Sequence, residues 1–210
     1  MEDPVLYQWA NHSDLAGVAR VFNESFPESV RHLFGRIPPL QVTREAFRVC
    51  LAAEPEAFVV ARRKRKVVGY IFAPAHLSRL WKVALGRRFI WRWLWRWITG
   101  RLRLGWHPVR LLVGNKVHFL RSAVDPQLAV EARILSVAVL PSARGQGIAK
   151  ELTRRALQRF DGLGVPRVRL EVRPDNAPAR RIYEQLGFLA AGTTADTQGP
   201  WLIMIRNRPA

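Results

Sequence analysis

Cysteine is almost absent from this chain, since Cys50 is the single one among 210 residues. One cysteine excludes an internal disulfide and indicates a reducing compartment. Long uncharged runs are missing too: the longest stretch without Asp, Glu, Lys or Arg is 12 residues, Val67 to Ser78. A membrane-spanning helix needs about 20 apolar residues, so we expect none. Met1 to Pro4 show no apolar segment typical of a secretory signal, and we expect a cytoplasmic protein.

Acidic residues are missing from one third of the chain. Residues 57–124 contain 16 Lys and Arg but no Asp or Glu, whereas the remainder contains 18 basic and 16 acidic residues. The net charge of +18 is therefore a regional property. The basic third and the rest of the chain need separate explanations.

Hydrophobic periodicity predicts alternating strands and helices. Arg133 to Leu140 is nearly all apolar, as expected of a strand buried on both faces. Arg167 to Arg173 alternates strictly, which predicts a half-buried strand with Arg169 on its polar face. Further strands are expected at 5–9, 57–62, 67–73, from 188 and at 201–206, and helices at about 15–25, 43–54 (capped by Thr43), 147–163 and 177–186. This order predicts an α/β fold with a mixed central sheet flanked by helices.

A loop of small residues lies between a predicted buried strand and a long predicted helix. Its sequence is Arg144-Gly145-Gln146-Gly147-Ile148-Ala149. Small residues let backbone amides approach an anion closely, and a helix N-terminus adds roughly half a positive charge. No Gly-Lys-Ser/Thr follows and the three-glycine dinucleotide spacing is absent. The pattern predicts a phosphate site, and a simple strand-to-helix turn is the alternative.

A second motif follows in the next predicted helix, where Asn176 and Tyr183 share one face and Gly187-Phe188 ends the helix. The two motifs together resemble the GNAT superfamily. Arg144, Gly147 and Ala149 match its acetyl-CoA pattern, Arg/Gln-x-x-Gly-x-Gly/Ala. The segment 170–188 is similar to the second half of that core, particularly in the ribosomal-protein alanine N-acetyltransferases. The resemblance is specific over about 55 residues.

The resemblance implies the GNAT acyl-CoA N-acyltransferase fold and an acetyl-CoA-dependent N-acetyltransferase. In that family the strand at 134–140, here with Val137 and Val139, binds the pantetheine arm and polarises the thioester carbonyl through its backbone. The amides of Arg144 to Ala149 would hold the pyrophosphate. Asn176 matches the residue that orients cofactor or water.

The catalytic residues that the resemblance implies are a base and an acid. Glu171 matches the base that deprotonates the acceptor amine, and Tyr183 matches the acid that protonates the thiolate. Alternatively, Glu171 forms an ion pair with Arg169 or Arg173, and Tyr183 is an amphipathic core residue. The five histidines lack metal-ligand spacing and no cysteine motif supplies a nucleophile. We therefore expect no metal and direct transfer to the amine of a protein N-terminus, a lysine or a small molecule.

The main departure from the family is an insertion at residues 74–132, within what we expect to be one domain over residues 1–210. It contains six of the eight tryptophans. Two helices are predicted, one at 77–85, which has an apolar stripe, and one at 88–103, which is mostly apolar with arginines along one edge. The alternating tryptophans of the second segment also suit a strand. The insertion has four alternative roles: peripheral membrane contact, packing over the acceptor pocket, a homodimer contact and nucleic-acid binding. The excess of apolar residues disfavours nucleic-acid binding. A non-catalytic acyl-CoA-binding module that tethers or senses a membrane or nucleic acid is the alternative function.

Overall fold

The computed structural model describes residues 3–86, 95 and 128–209. Its strands are β1 (Val5–Trp9), β2 (Phe58–Arg63), β3 (Lys66–Phe72), β4 (Arg133–Ile134), β5 (Ser136–Val139), β6 (Arg167–Val172), β7 (Leu189–Asp196) and β8 (Gly199–Asn207). Its helices include α1 (Leu15–Ser25), α2 (Pro27–Phe34), α3 (Leu40–Ala53), α4 (Leu77–Leu85), α5 (Ile148–Gly162) and α6 (Ala177–Gln185).

The strands form two four-stranded sheets, in the orders β1-β2-β3-β5 and β4-β6-β8-β7. The pairing of β4 with β6 is parallel, and the other pairings are antiparallel. The larger of two buried clusters spans both sheets, with an aromatic centre formed by Phe47, Phe58, Tyr70 and Phe72. The predicted α/β class with parallel and antiparallel pairing is confirmed.

The predicted single strand from Arg133 to Leu140 is wrong in one respect. The chain leaves β6 after Ile134 and joins β3 from Ser136 onward, so it passes from one sheet to the other at Leu135. Leu135 is 41% exposed, and the next two residues are half-buried. Because β5 and β6 diverge, the edge of β5 that would pair with β6 has no partner strand among the described residues.

Two further predictions from local pattern are wrong. Thr43 does not cap α3, because the helix begins at Leu40 directly after Pro39. The hydroxyl of Thr43 is buried and donates to Asn23 Oδ1 at 3.0 Å, which ties α3 to α1. Arg169 is not on an exposed face but is fully buried, because residues 128–132 cover that face of β6.

The two ends of the insertion lie side by side. The amide of Arg133 donates to Pro74 O at 3.0 Å, and that of Leu77 donates to Glu131 O at 3.3 Å. The predicted helix at 77–85 is confirmed as α4, and the predicted helix at 88–103 lies outside the described residues except for Trp95. Every helix in the described ranges is too short or too polar to cross a bilayer.

Candidate active site

The divergence of β5 from β6 opens a cavity of about 650 Å³ between the two sheets. Seven of the predicted site residues line it: Val137, Val139, Arg144, Ala149, Glu171, Asn176 and Tyr183. The remaining four, Gly145 to Ile148, form the loop between Arg144 and Ala149. The fold thus brings both sequence motifs to one cavity.

One edge of β5 offers free backbone groups to this cavity. Hydrogen bonds alternate along an antiparallel pair, and the amide of Leu140 bonds Val68 O at 2.9 Å in the β3–β5 register. Ala138 is therefore in register to bond β3, whereas Val137 and Val139 turn their backbone groups away from it. Val139 O accordingly accepts from Ser25 Oγ at 3.2 Å and from Arg144 Nε at 3.3 Å. The amides of Val137 and Val139 can bind an extended ligand such as pantetheine.

The loop at residues 144–147 is built to admit an anion. Gly145 and Gly147 adopt φ values of +79° and +74°, and a Cβ at either position would meet no atom within 4 Å. The open space lies at the N-terminus of the 15-residue helix α5, whose first amides lack intrahelical acceptors. Ile148 buries its side chain, so only its amide is available to a ligand. The guanidinium of Arg63 bonds Gln146 and adds positive charge here. The loop fits a pyrophosphate.

Asn176 caps helix α6 and lines the cavity at the same time. Its Oδ1 accepts from the amide of Ala179 at 3.2 Å, an N-cap contact of about 1 kcal/mol. The cap fixes the start of the helix that carries Tyr183. Asn176 Nδ2 is left to donate into the cavity.

Tyr183 is only 7% exposed, and its ring packs against Phe188 with centroids 5.9 Å apart. Burial penalises the phenolate and raises the pKa of Tyr183 to about 12. The hydroxyl therefore carries its proton at neutral pH, as a general acid must.

Glu171 lines the cavity, and it also forms the ion pair with Arg169 that the sequence offers as the alternative to a catalytic base. Its Oε1 accepts from Arg169 at 2.6 Å and lies 3.7 Å from a guanidinium nitrogen of Arg133. Its side chain is 36% exposed. Both contacts use Oε1, which leaves Oε2 without a hydrogen bond or ion pair in the part of the chain that the structure describes.

Sequence reasoning missed the far wall of the cavity. Phe22, Ser25, Phe26 and Ser29 line one side, at the i, i+3, i+4, i+7 spacing of a helical face across α1 and α2. Arg173 and Trp201 belong to the same lining, and the guanidinium carbon of Arg173 lies 3.8 Å from the centroid of the Trp201 ring. The helical spacing could have identified this face from the sequence. Nothing in the local sequence indicates that it shares a cavity with Trp201, which follows about 180 residues later.

Cys50 lies outside the lining of the cavity. Burial raises the pKa of its thiol to about 12, so the thiol stays protonated at neutral pH. In the described residues, His, Cys, Asp and Glu form no group that could hold a metal.

A family model described as the acetyltransferase (GNAT) family matches residues 15–188. This chain belongs to the GNAT family. The match confirms the family predicted from the two motifs, and it covers β2 to β6 and the residues that line the cavity except Gln198 and Trp201. It extends well beyond the region of specific resemblance.

Curated relatives match parts of the chain. A mycothiol acetyltransferase of Brachybacterium faecium is 45% identical over 62 residues, which are 30% of this chain and 19% of that protein. A ribosomal protein bS18 alanine N-acetyltransferase of Haemophilus ducreyi is 33% identical over 66 residues, 31% of this chain and 46% of that protein. The chain thus spans less than half the length of these relatives. Among solved structures, SsHAT superposes with a TM-score of 0.70 at 22% identity, covering 98% of this chain and 99% of that one, which establishes the fold.

Proposed function

We propose that this GNAT protein transfers the acetyl group of acetyl-CoA directly to a primary amine. The observation that supports this most is the cavity between β5 and β6, where Glu171 and Tyr183 share the lining with Arg144 and Ala149, the two ends of the glycine loop. When bound, acetyl-CoA supplies the thioester. Residues 144–149 bind its pyrophosphate, and the amides of Val137 and Val139 bind the pantetheine arm and the carbonyl oxygen.

The proton transfers follow from the two catalytic side chains. The amine nitrogen attacks the thioester carbon, and Glu171 Oε2 takes the proton that the nitrogen loses, directly or through one water. The C–S bond breaks as the carbonyl re-forms, and the hydroxyl of Tyr183 donates its proton to the departing sulfur. The protonated thiol of Cys50, away from the cavity, plays no part, in agreement with direct transfer.

We infer that the amine substrate enters beside Arg173 and Trp201, since both line the cavity with Glu171 and Arg173 follows Glu171 by two residues, directly after the end of β6. Two residues of a strand span about 6.6 Å. A substrate that places its amine at Glu171 would therefore bring a carbonyl or carboxylate oxygen near Arg173, whose NH1 and NH2 already donate to Pro200 O and Gln198 Oε1, so that this oxygen would meet the remaining N–H groups. Both peptide N-termini and small amines of this kind meet that requirement.

The test is product formation from acetyl-CoA and a panel of amines, measured by mass spectrometry. The panel contains a peptide with an N-terminal alanine, an aminothiol and a lysine side chain. The first two are chosen from the names of the relatives. Positioned acids and bases contribute about 10²–10⁴-fold, so Glu171→Gln and Tyr183→Phe should each lower kcat by about that factor. Glu184→Gln, an exposed glutamate beside Tyr183, is the matched control and should retain the parent rate. Turnover by Glu171→Gln equal to that of the parent would remove the proposed base.

A further inference from the structure

Two arginines occupy adjacent, paired positions in the interior of the second sheet. Arg133 and Arg169 are register partners in the parallel β4–β6 pair, and they are only 8% and 0% exposed. Two guanidinium groups buried together repel each other and lose their hydration. The pKa of Arg133 is lowered, mostly by burial and next by the positive charge of Arg169. Such an arrangement needs compensating contacts.

The compensating contacts lead to the active site. Arg169 donates to Leu128 O and to Glu171 Oε1, both at 2.6 Å. Arg133 Nε donates to Val130 O at 3.0 Å, and its NH1 lies 3.7 Å from the same Glu171 oxygen. One edge of each guanidinium group is thus held by residues 128–130, close to the C-terminal end of the predicted insertion. Another edge contacts the proposed base, Glu171.

We propose that Arg169 and Arg133 are positioning residues, which fix the carboxylate of Glu171 through Oε1 and direct Oε2 to the acceptor amine. This inference rests on the proposed function. A glutamate side chain has several rotatable bonds, and the hydrogen bond from Arg169 together with the ion pair to Arg133 at the same oxygen restricts them before the amine arrives. The returning end of the insertion thereby sets the position of the base, even though residues 128–130 are separated from Glu171 by about 40 residues of sequence.

The test is Arg169→Lys, which keeps the charge but replaces the planar fork with one ammonium that cannot span both acceptors. Misplacing a catalytic group by about 1 Å costs about 100-fold, so kcat should fall by about that factor while KM for acetyl-CoA changes less than about twofold. In the Glu171→Gln background the same substitution should leave kcat nearly unchanged, because no base remains to be positioned. An equal loss in both backgrounds, or a rise in KM for acetyl-CoA instead of a fall in kcat, would overturn the inference.

The matched control is Arg206→Lys. Arg206 lies in the same sheet, its side chain is 11% exposed, and it bonds both oxygens of Asp161 at 2.9 and 3.1 Å. It should lower the unfolding midpoint without changing kcat. If Arg169→Lys does not fold, Arg133→Lys replaces it, with a smaller loss of kcat because its contact to Glu171 is longer.

A second readout needs no turnover and separates this inference from the proposed function. The parent, Arg169→Lys, Glu171→Gln and the double variant are compared by urea unfolding as a double-mutant cycle. Non-additive shifts of the midpoint support the link between the two residues, and additive shifts refute it even if every amine in the panel fails. An inactive parent with non-additive shifts would instead refute the acetyltransferase assignment and retain only the structural link between Arg169 and Glu171.

Discussion

Replacing Gly147 with alanine separates the two roles of the glycine loop. Gly147 has φ of +74°, and its Cβ would meet no atom within 4 Å, so the variant introduces backbone strain without a clash. An L-residue in the left-handed region costs roughly 1–2 kcal/mol. Loss of chain entropy in the unfolded state returns roughly 0.4–1 kcal/mol of this. We therefore expect a net loss of unfolding free energy of about 1 kcal/mol.

The effect of Gly147→Ala on acetyl-CoA binding should be larger than its effect on stability. The new methyl group enters the open space where the amides of α5 would meet the pyrophosphate. Loss of one charged hydrogen bond costs roughly 1.5–3 kcal/mol, which corresponds to about ten- to hundredfold in Kd. Urea unfolding and calorimetric titration with acetyl-CoA measure the two quantities separately.

Gly162→Ala supplies the control at the other end of the same helix. Gly162 also has open space around its Cβ position but no positive φ. We expect its stability to stay the same or rise by up to about 1 kcal/mol, with unchanged binding, because alanine suits a helix better than glycine. If Gly147→Ala bound acetyl-CoA as tightly as Gly162→Ala, the loop would not be the pyrophosphate site.

Two further predictions concern titratable groups. The pKa of Tyr183 is raised from 10.0 to about 12 in the folded state, so the folded protein holds this proton more tightly than the unfolded chain. The contribution of Tyr183 to the free energy of unfolding is therefore complete below pH 10 and lost between about pH 10 and 12. Two pKa units correspond to at most about 2.7 kcal/mol. Urea unfolding at pH 9 and 11 should show a smaller alkaline loss in Tyr183→Phe than in the parent, and equal losses would contradict the burial argument. For Cys50, we expect thiol reagents at neutral pH and the Cys50→Ala substitution to leave kcat intact, because the thiol is protonated and outside the cavity. Loss of kcat on alkylation under conditions where the protein stays folded would argue for an acetyl-enzyme.

Local sequence signals predicted the elements that carry their own pattern. Strand β1 and helix α6 lie within a residue of the expected bounds, and Gly187 ends α6 with φ of +86°. Helix α2 was not predicted, because eight residues from Pro27 to Phe34 are too few for a clear periodicity. The start of α3 was misplaced because Thr43 has the composition of a cap but uses its hydroxyl across to α1.

By itself, the sequence determined the local geometry of the proposed cofactor site. The loop at 144–149 and the helix face of Asn176 and Tyr183 depend on glycine conformation, helix capping and residue spacing, which are local properties. Only the tertiary structure decided the rest. The divergence of β5 from β6, the burial of Arg169 and its link to Glu171, and the stacking of Arg173 on Trp201 are contacts between distant segments. No periodicity within one segment encodes such contacts, because they depend on how the sheets meet.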